Sequence, residues 1–290
     1  MKSDRIMPNK MPKILTALLL ASLVFTVGCG SKGKKKLAYV ERPAEKIYLE
    51  GYDRMSRRDW PKAVLLFDEV ERQHPYSVWA RRSMLMAAYA NYQANKYEDA
   101  INAAQRFVAL HPGSRSAPYA YYLIGICHFE QISDVGRDQT ETKKALEALR
   151  QVVRRFPNSE YARDARLKID LTNDQLAGKD MAVGRWYLKR GYNLAAIARF
   201  QHVIDTYETT SHTPEALHRL VEAYVRLGIM DEAVQVAAVL GYNYPGTDWY
   251  KDTYRLLTKY GVTSVAEAEG DEHKTKNKGS FFSRTWRRLF

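Results

Sequence analysis

Seven histidines are the side chains of this sequence best suited to proton transfer or metal binding. His74 and His111 each directly precede a proline, which places them in turns. His128 stands near Glu130, but no second histidine lies one helical turn away, so the H-E-x-x-H pattern of zinc proteases is absent. Three more are close in sequence: His202, His212 and His218. These three have no cysteine or carboxylate at ligand spacing, and we expect them on solvated helix surfaces.

Nucleophilic and paired-carboxylate chemistry is also missing from the sequence. No G-x-S-x-G elbow is present. Glu267 and Glu269 are paired carboxylates, but they lie in a charged C-terminal stretch that cannot hold them rigidly for acid–base work. The sequence therefore predicts a protein that is not an enzyme and that binds no metal or diffusible cofactor.

A glycine-rich stretch at residues 28–33 spells G-x-G-x-x-G. The related P-loop pattern fails because Lys35 stands where a serine or threonine is needed for Mg²⁺. Both nucleotide-binding patterns also require a strand before them and a helix after them. Here an apolar N-terminal segment precedes and a run of lysines follows, so we expect no nucleotide site.

The composition of the 290 residues is that of a globular, helical protein. Hydrophobic residues make up 46% and charged residues 27%, which excludes wholesale disorder. Only 16 glycines and 10 prolines occur, which favours helices over a strand-rich fold. The formal net charge is +12, but the cations are spread among carboxylates and no nucleic-acid-binding motif occurs. We expect acidic protein domains or lipid head groups as partners, and no nucleic acid.

The N-terminus has the pattern of an export signal over residues 1–28. Four cations precede an apolar run at Ile14–Phe25, which is too short to span a bilayer as a mature helix. Gly28 and Cys29 follow, and a small residue before a cysteine resembles the cleavage box of bacterial lipoproteins. This resemblance implies cleavage before Cys29, a diacylglycerol on its thiol and an N-acyl chain on its amine. Thr26 departs from the usual leucine, and an ordinary signal with an incidental cysteine is the alternative.

Lipidation of Cys29 has further implications for the mature chain. Each buried CH₂ contributes about 0.8 kcal/mol, so two or three acyl chains anchor a protein stably. Gly30, rather than an acidic residue, follows the cysteine, and the resemblance to lipoproteins then implies the periplasmic face of the outer membrane. Residues 29–42 are predicted to form a flexible tether. Cys127, the other cysteine, lies in an apolar run and is expected to be a buried small hydrophobe.

A repeated pattern occupies residues 43–260. In five places an alanine is followed four residues later by a second apolar residue on the same helix face, and a terminator stands eight residues further on. The pairs are Ala63–Phe67, Ala100–Ala104, Ala145–Leu149, Ala196–Phe200 and Ala233–Ala237, and the terminators are Pro75, Pro112, Pro157, Glu208 and Pro245. Proline ends a helix because it cannot donate to a continuing helical ladder.

This pattern resembles the tetratricopeptide repeat, a helix–turn–helix unit of about 34 residues. The resemblance implies an all-α fold, a superhelical stack of five such units, and a capping helix at about 249–260. Gly51 and Gly125 stand where the paired helices approach closely. Unit three has an inserted loop at about 133–142, and unit four a long first helix at about 161–190. An unrelated helical bundle is the alternative.

First helices of tetratricopeptide units line the concave face of the stack. Three positions in each of the first three units form an aromatic and apolar stripe there, which suits an extended peptide with large side chains. The stripe comprises Tyr48, Tyr52, Met55, Leu85, Tyr89, Tyr92, Tyr122, Ile126 and Phe129. The alternative for any one of these residues is packing between helices.

The C-terminal segment, residues 261–290, differs from the repeats. It is charged and expected to be disordered up to about residue 278. Residues 281–290 then place Trp286 and Leu289 on one helical face and arginines on the other. A basic amphipathic segment of this kind suits a membrane surface or a partner, although ten residues form a marginal helix.

Two stretches beyond the repeat pattern resemble the BamD family of outer-membrane assembly lipoproteins. One is Gly136-Arg137-Asp138-Gln139, with Phe156-Pro157-Asn158-Ser159 after it. The other is Trp186-Tyr187-x-x-Arg190-Gly191-Tyr192, continuing to Arg199-Phe200. The resemblance covers about residues 43–245 and does not extend to the C-terminal tail.

The family resemblance implies a function and partners. It implies a lipid-anchored, non-catalytic scaffold whose N-terminal units receive the C-terminal segment of unfolded β-barrel precursors. The C-terminal units would dock the barrel insertase BamA, with Arg199 at that interface, beside other assembly lipoproteins. Alternatives are a tetratricopeptide lipoprotein serving cell-wall or division machinery, and a murein hydrolase. The missing carboxylate pair argues against the hydrolase.

Overall fold

The computed structural model describes residues 40–262, and within that range the chain forms eleven helices and no strand. The helices are α1 (Ala44–Ser56), α2 (Trp60–Gln73), α3 (Val78–Gln93), α4 (Tyr97–Leu110), α5 (Ala117–Phe129), α6 (Thr140–Arg155), α7 (Glu160–Lys189), α8 (Asn193–Thr206), α9 (Thr213–Leu227), α10 (Met230–Asn243) and α11 (Asp248–Lys259).

The helices form five successive pairs and one final helix. Each helix packs against its neighbours in the sequence. The first helices of successive pairs also contact one another, α1 with α3, α3 with α5, and so on to α9 with α11. The stack of five helical pairs closed by α11 confirms the predicted all-α repeat fold, in which each unit buries its apolar face against the next.

Packing within the pairs depends on the repeated apolar positions. Every alanine of the five repeated pairs is fully buried, and so is the residue one turn later, whether it is Phe67, Leu149 or Phe200. A Cβ atom on Gly51 would lie 2.8 Å from the Phe67 ring, and one on Gly125 would lie 2.9 Å from Leu149. Glycine is therefore required at both positions for the first helix to approach the second.

Helix ends follow the punctuation of the sequence. Three helices, α3, α7 and α11, are capped at their N-terminus by a side-chain oxygen that accepts the backbone N–H three residues later. The capping residues are Ser77, Ser159 and Thr247. Each second helix ends two residues before the predicted terminator, so α2 ends at Gln73 before Pro75 and α8 ends at Thr206 before Glu208. The terminators therefore mark the ends of the repeat units as predicted.

The irregular parts of the stack lie close to their predicted positions. The inserted loop spans residues 130–139, a few residues before the expected 133–142. It ends earlier because α6 begins at Thr140, whose backbone N–H donates to the Asp138 carboxylate at 3.2 Å. The long helix α7 has 30 residues, and α11 differs from the predicted capping helix by one residue at each end.

Several predictions lie outside the described residues. They are the signal segment 1–28, lipidation of Cys29, most of the tether 29–42 and the tail from residue 263. Among residues 40–262, no helix combines the length and apolarity that crossing a membrane requires. Cys127 is buried as predicted, and burial raises the pKa of its thiol to about 12, so this thiol is unreactive.

Candidate functional site

The aromatic stripe on the first helices is only partly accessible. Tyr52 on α1 is the most open member, with 52% of its surface exposed. Ile126 on α5 is only 5% exposed and offers no surface to a ligand. The prediction was wrong there because α5 packs against α3, α4, α6 and α7, which leaves little of it open. The other seven members are half-buried.

At the first two units, the stripe contains two residues that the sequence analysis did not select. The ring of Trp79, at the start of α3, lies 4.9 Å from that of Tyr48, which also contacts Phe67 at 5.6 Å. The guanidinium of Arg82 lies over Trp79, 5.1 Å from the ring centroid. The signal for Arg82 was present in the sequence, because it stands three residues before Leu85 on the same helical stripe.

At the third unit, the stripe meets the long helix α7. The Tyr122 hydroxyl donates to the Asp164 carboxylate, and its ring lies 5.4 Å from that of Tyr161. Burial raises the pKa of Tyr122, and the hydrogen bond to Asp164 raises it further. The Lys168 ammonium lies 4.8 Å from the centroid of the Phe129 ring. This end of the stripe is thus fixed by contacts between α5 and α7.

A second surface is a cleft of about 600 Å³ between the inserted loop, α7 and α8. The loop is held by the buried amide of Gln139, which donates to the backbone oxygens of Asp134 and Arg137. Its backbone also accepts hydrogen bonds from α7, from Gln175 at 2.7 Å and from Lys179 at 3.1 Å. These bonds hold residues 136–139, one stretch of the family resemblance, against α7, the helix in which the other stretch begins.

Arg199 lines this cleft on α8, with its side chain 48% exposed. Its guanidinium donates to the Asp180 carboxylate of α7 at 3.0 Å, and His202 contacts the other carboxylate oxygen at 3.0 Å. Asp180 therefore fixes the direction of the arginine. The sequence analysis missed it because nothing in the local pattern of α7 indicates a partner on another helix.

The charge of the cleft is mainly positive. Its basic lining residues are Arg137, Lys143, Lys179, Arg199 and His202, against the two carboxylates Asp138 and Asp180. Asp180 is already bound to Arg199, and Asp138 accepts the backbone N–H of Thr140 at the start of α6. The cleft thus suits an acidic protein surface, which an arginine can contact through two parallel hydrogen bonds.

The three C-terminal histidines have separate environments. His202 and His212 are partly exposed and contact Asp180 and Asp174. His218 is only 7% exposed, so its predicted position on a solvated surface was wrong. Its Nδ1 lies 2.8 Å from the Thr253 hydroxyl, because α11 packs over α9 at this point. Within residues 40–262, no group of three potential ligands is placed to bind a metal ion.

Helical pairs stacked side by side, with an aromatic stripe and a basic cleft left open, define a tetratricopeptide-type repeat protein that presents binding surfaces. Residues 40–240 match the model of the YfiO family, described as outer membrane lipoprotein. The chain belongs to this family of outer membrane lipoproteins.

Named relatives agree with this assignment. The chain is 57% identical over 264 residues to the outer membrane protein assembly factor BamD of Caulobacter vibrioides, covering 91% of this chain and 86% of the relative. It is 43% identical to the BamD of Rickettsia prowazekii, covering 87% and 99%. Among solved structures, it is similar to a thermophilic TPR protein of Thermus thermophilus, at 18% identity and a TM-score of 0.35, covering 74% of this chain and 100% of that one.

Proposed function

We propose that this protein is a lipid-anchored, non-catalytic scaffold for outer-membrane protein assembly. It binds unfolded β-barrel precursors and the barrel insertase, and so holds the two together. The observation that carries the proposal is its 57% identity over most of its length to an outer membrane protein assembly factor. Binding energy alone performs this task, since the scaffold has to recognise and position its partners.

The aromatic stripe supports the binding of precursors. An unfolded β-barrel strand is extended and places large side chains at every second residue. Tyrosines offer such a strand broad apolar contact at low cost in conformational entropy, and their hydroxyls bind its backbone. Tyr52 and Tyr89, on the neighbouring first helices α1 and α3, supply this kind of surface.

The basic cleft supports the binding of the insertase. Arg199 is held by Asp180 with nearly half of its side chain exposed, so it is positioned before a partner arrives. Pre-positioning lowers the entropy lost on association. An acidic periplasmic domain, such as one of BamA, is the partner that this charge fits.

The anchor completes the proposal. Acyl chains on Cys29 would hold the stack at the periplasmic face of the outer membrane, within reach of the insertase and other assembly lipoproteins. Membership of the outer membrane lipoprotein family supports this arrangement. A tetratricopeptide scaffold for cell-wall or division machinery is the second candidate, and its partners would be murein-linked proteins.

The binding of precursors is tested by replacing two tyrosines of the stripe. We predict that Tyr52→Ala with Tyr89→Ala weakens binding of a peptide from the last strand of a β-barrel about tenfold, because both aromatic surfaces are lost. The measurement is fluorescence anisotropy with the purified full chain. The matched control is Tyr242→Ala, since Tyr242 is exposed on α10, away from the stripe. Unchanged affinity in the double variant would remove the stripe as the precursor site.

A further inference from the structure

An aromatic cluster lies at the turn between α7 and α8. The ring centroid of Trp186 is 5.1 Å from that of Tyr187 and 6.5 Å from that of Tyr192, and the two tyrosine centroids are 6.3 Å apart. The Arg190 guanidinium lies over Trp186, 4.1 Å from the ring centroid. Trp186 and Tyr192 are both exposed. The turn therefore holds large aromatic rings and a cation together at the surface of the stack.

The neighbouring turn between α9 and α10 extends this surface. The Arg226 guanidinium, at the end of α9, donates to the backbone oxygen of Leu188 at 2.8 Å and so joins the two turns. Leu227 and Ile229 are exposed in the second turn, and Leu194, at the start of α8, is 73% exposed. The exposed apolar side chains of the two turns, here called the apolar edge, are Trp186, Tyr192, Leu194, Leu227 and Ile229.

Both turns project into open space. Gly191 and Gly228 have φ of 81° and 76°, and a Cβ atom added to either would meet no atom within 4 Å. The corresponding turns of units one and two differ, because residues 57–59 and 94–96 include exposed arginine, asparagine and lysine but no exposed large apolar side chain. The apolar edge is thus a feature of units four and five, and an exposed apolar surface of this kind marks a contact with a partner.

The apolar edge is also positively charged. Residues 186–194 include the exposed cations Lys189 and Arg190 and no carboxylate. At the second turn Arg226 adds an exposed cation, while Asp231 lies in the first turn of α10. Tryptophan and tyrosine concentrate at membrane–water interfaces, where their polar groups lie at the level of the lipid head groups. Lysine and arginine beside them are attracted to anionic lipids.

We propose that the apolar edge rests on the phospholipid surface of the membrane to which the protein is anchored, and so fixes the orientation of the stack. This inference rests on the proposed lipid anchor and adds to it a second membrane contact in units four and five. A projecting edge with this charge suits a flat anionic surface, into which Trp186 and Leu194 can insert at the depth of the head groups. Because the acyl chains keep the stack beside the bilayer, even a weak second contact is populated.

The test places a fluorescent label on the apolar edge. Leu194→Cys supplies a single reactive thiol, because Cys127 is buried and Cys29 is acylated in the proposed mature chain. The lipidated full chain, labelled with nitrobenzoxadiazole, is reconstituted in vesicles of phosphatidylethanolamine and phosphatidylglycerol, and quenching by nitroxide-labelled phospholipid is measured. The matched control is Tyr242→Cys, exposed near the opposite end of α10. Quenching should be about threefold stronger at position 194 than at position 242, since only the apolar edge enters the interface.

A second variant tests the cations of the apolar edge. Lys189→Gln with Arg190→Gln should reduce the quenching at position 194 about twofold, because two charges beside the anionic surface are lost. The matched control is Arg57→Gln with Arg58→Gln, which removes two exposed cations from the corresponding turn of unit one and should leave the signal at position 194 unchanged.

Three results would overturn the inference. Equal quenching at positions 194 and 242, in a chain that floats with the vesicles, would exclude the membrane contact while leaving the anchor intact. A signal at position 194 that appears only when the barrel insertase is present in the vesicles would assign the apolar edge to a protein interface. If the lipidated chain does not float with the vesicles at all, the proposed anchor fails and the membrane contact fails with it.

Discussion

His218 shows how a single side chain depends on the stack around it. It is buried between α9 and α11, against Trp249 at a ring-centroid distance of 5.4 Å. Burial lowers the pKa of His218, and the positive charge of Arg219 lowers it further, while the carboxylates of Glu222, Asp252 and Glu215 oppose the shift. The folded protein therefore holds this imidazole neutral at pH values where the same residue in the unfolded chain binds a proton.

The free energy of unfolding should accordingly fall as the pH drops below about 6.5, the ordinary pKa of histidine. In that range the unfolded chain takes up a proton that the folded chain does not, and one proton gives a slope of at most about 1.4 kcal/mol per pH unit. We predict that His218→Gln has a flatter dependence between pH 7 and 5.5, measured by urea unfolding. Parallel curves for the two proteins would show that His218 is not the titrating group.

Sequence reasoning at the scale of residues succeeded where the signal is local. The burial of Cys127 follows from its apolar neighbours, and the position of the stripe residues along α1 and α3 follows from helical periodicity, while their role in binding stays a prediction. The contact of Asp180 with Arg199 and that of Trp79 with Tyr48 join different helices, and no local pattern specifies them. Ile126 was assigned to the surface because its position in the repeat was considered without the four helices that surround α5.

Close approach between paired helices is the feature that matters most at the scale of elements. The structure adds Gly184 to the two glycines predicted from the sequence, since a Cβ atom there would lie 2.5 Å from Phe200. Gly184 precedes Phe200 by the same number of residues as Gly51 precedes Phe67, so the spacing could have identified it. The repeat pattern thus determines both the helix boundaries and the contacts that align each pair.

We predict that Gly184→Ala destabilises the protein by about 1–3 kcal/mol, because fully buried Phe200 cannot move away from an added methyl group. Alanine would otherwise favour a helix, so a loss of stability indicates the close contact. The matched control is Gly113→Ala, since an added Cβ there meets nothing within 4 Å. Thermal unfolding of both variants measures the difference. Equal melting temperatures would contradict tight packing of α7 on α8.

At the scale of the whole molecule, the two candidate binding surfaces are formed by different helices of the stack. The aromatic stripe belongs to the first helices α1, α3 and α5, whereas the basic cleft belongs to the inserted loop, α7 and α8. The order of the repeat units along the chain predicted the fold, since each unit contacts mainly its neighbours. The site could be predicted only in part, because the cleft forms where a ten-residue loop folds back on a helix far along the sequence.

Co-purification from the bacterial envelope tests the scaffold account most directly. The full chain carries an affinity tag and is purified from detergent-solubilised envelopes as the natural sequence, as Arg199→Glu, and as the charge-reversal control Arg163→Glu on an exposed part of α7 outside the cleft. The barrel insertase should co-purify with the natural chain and the control. Its yield should fall about tenfold or more with Arg199→Glu, because a carboxylate beside Asp180 repels an acidic partner. Absence of the insertase from the natural preparation, or murein-linked proteins in its place, would contradict the account.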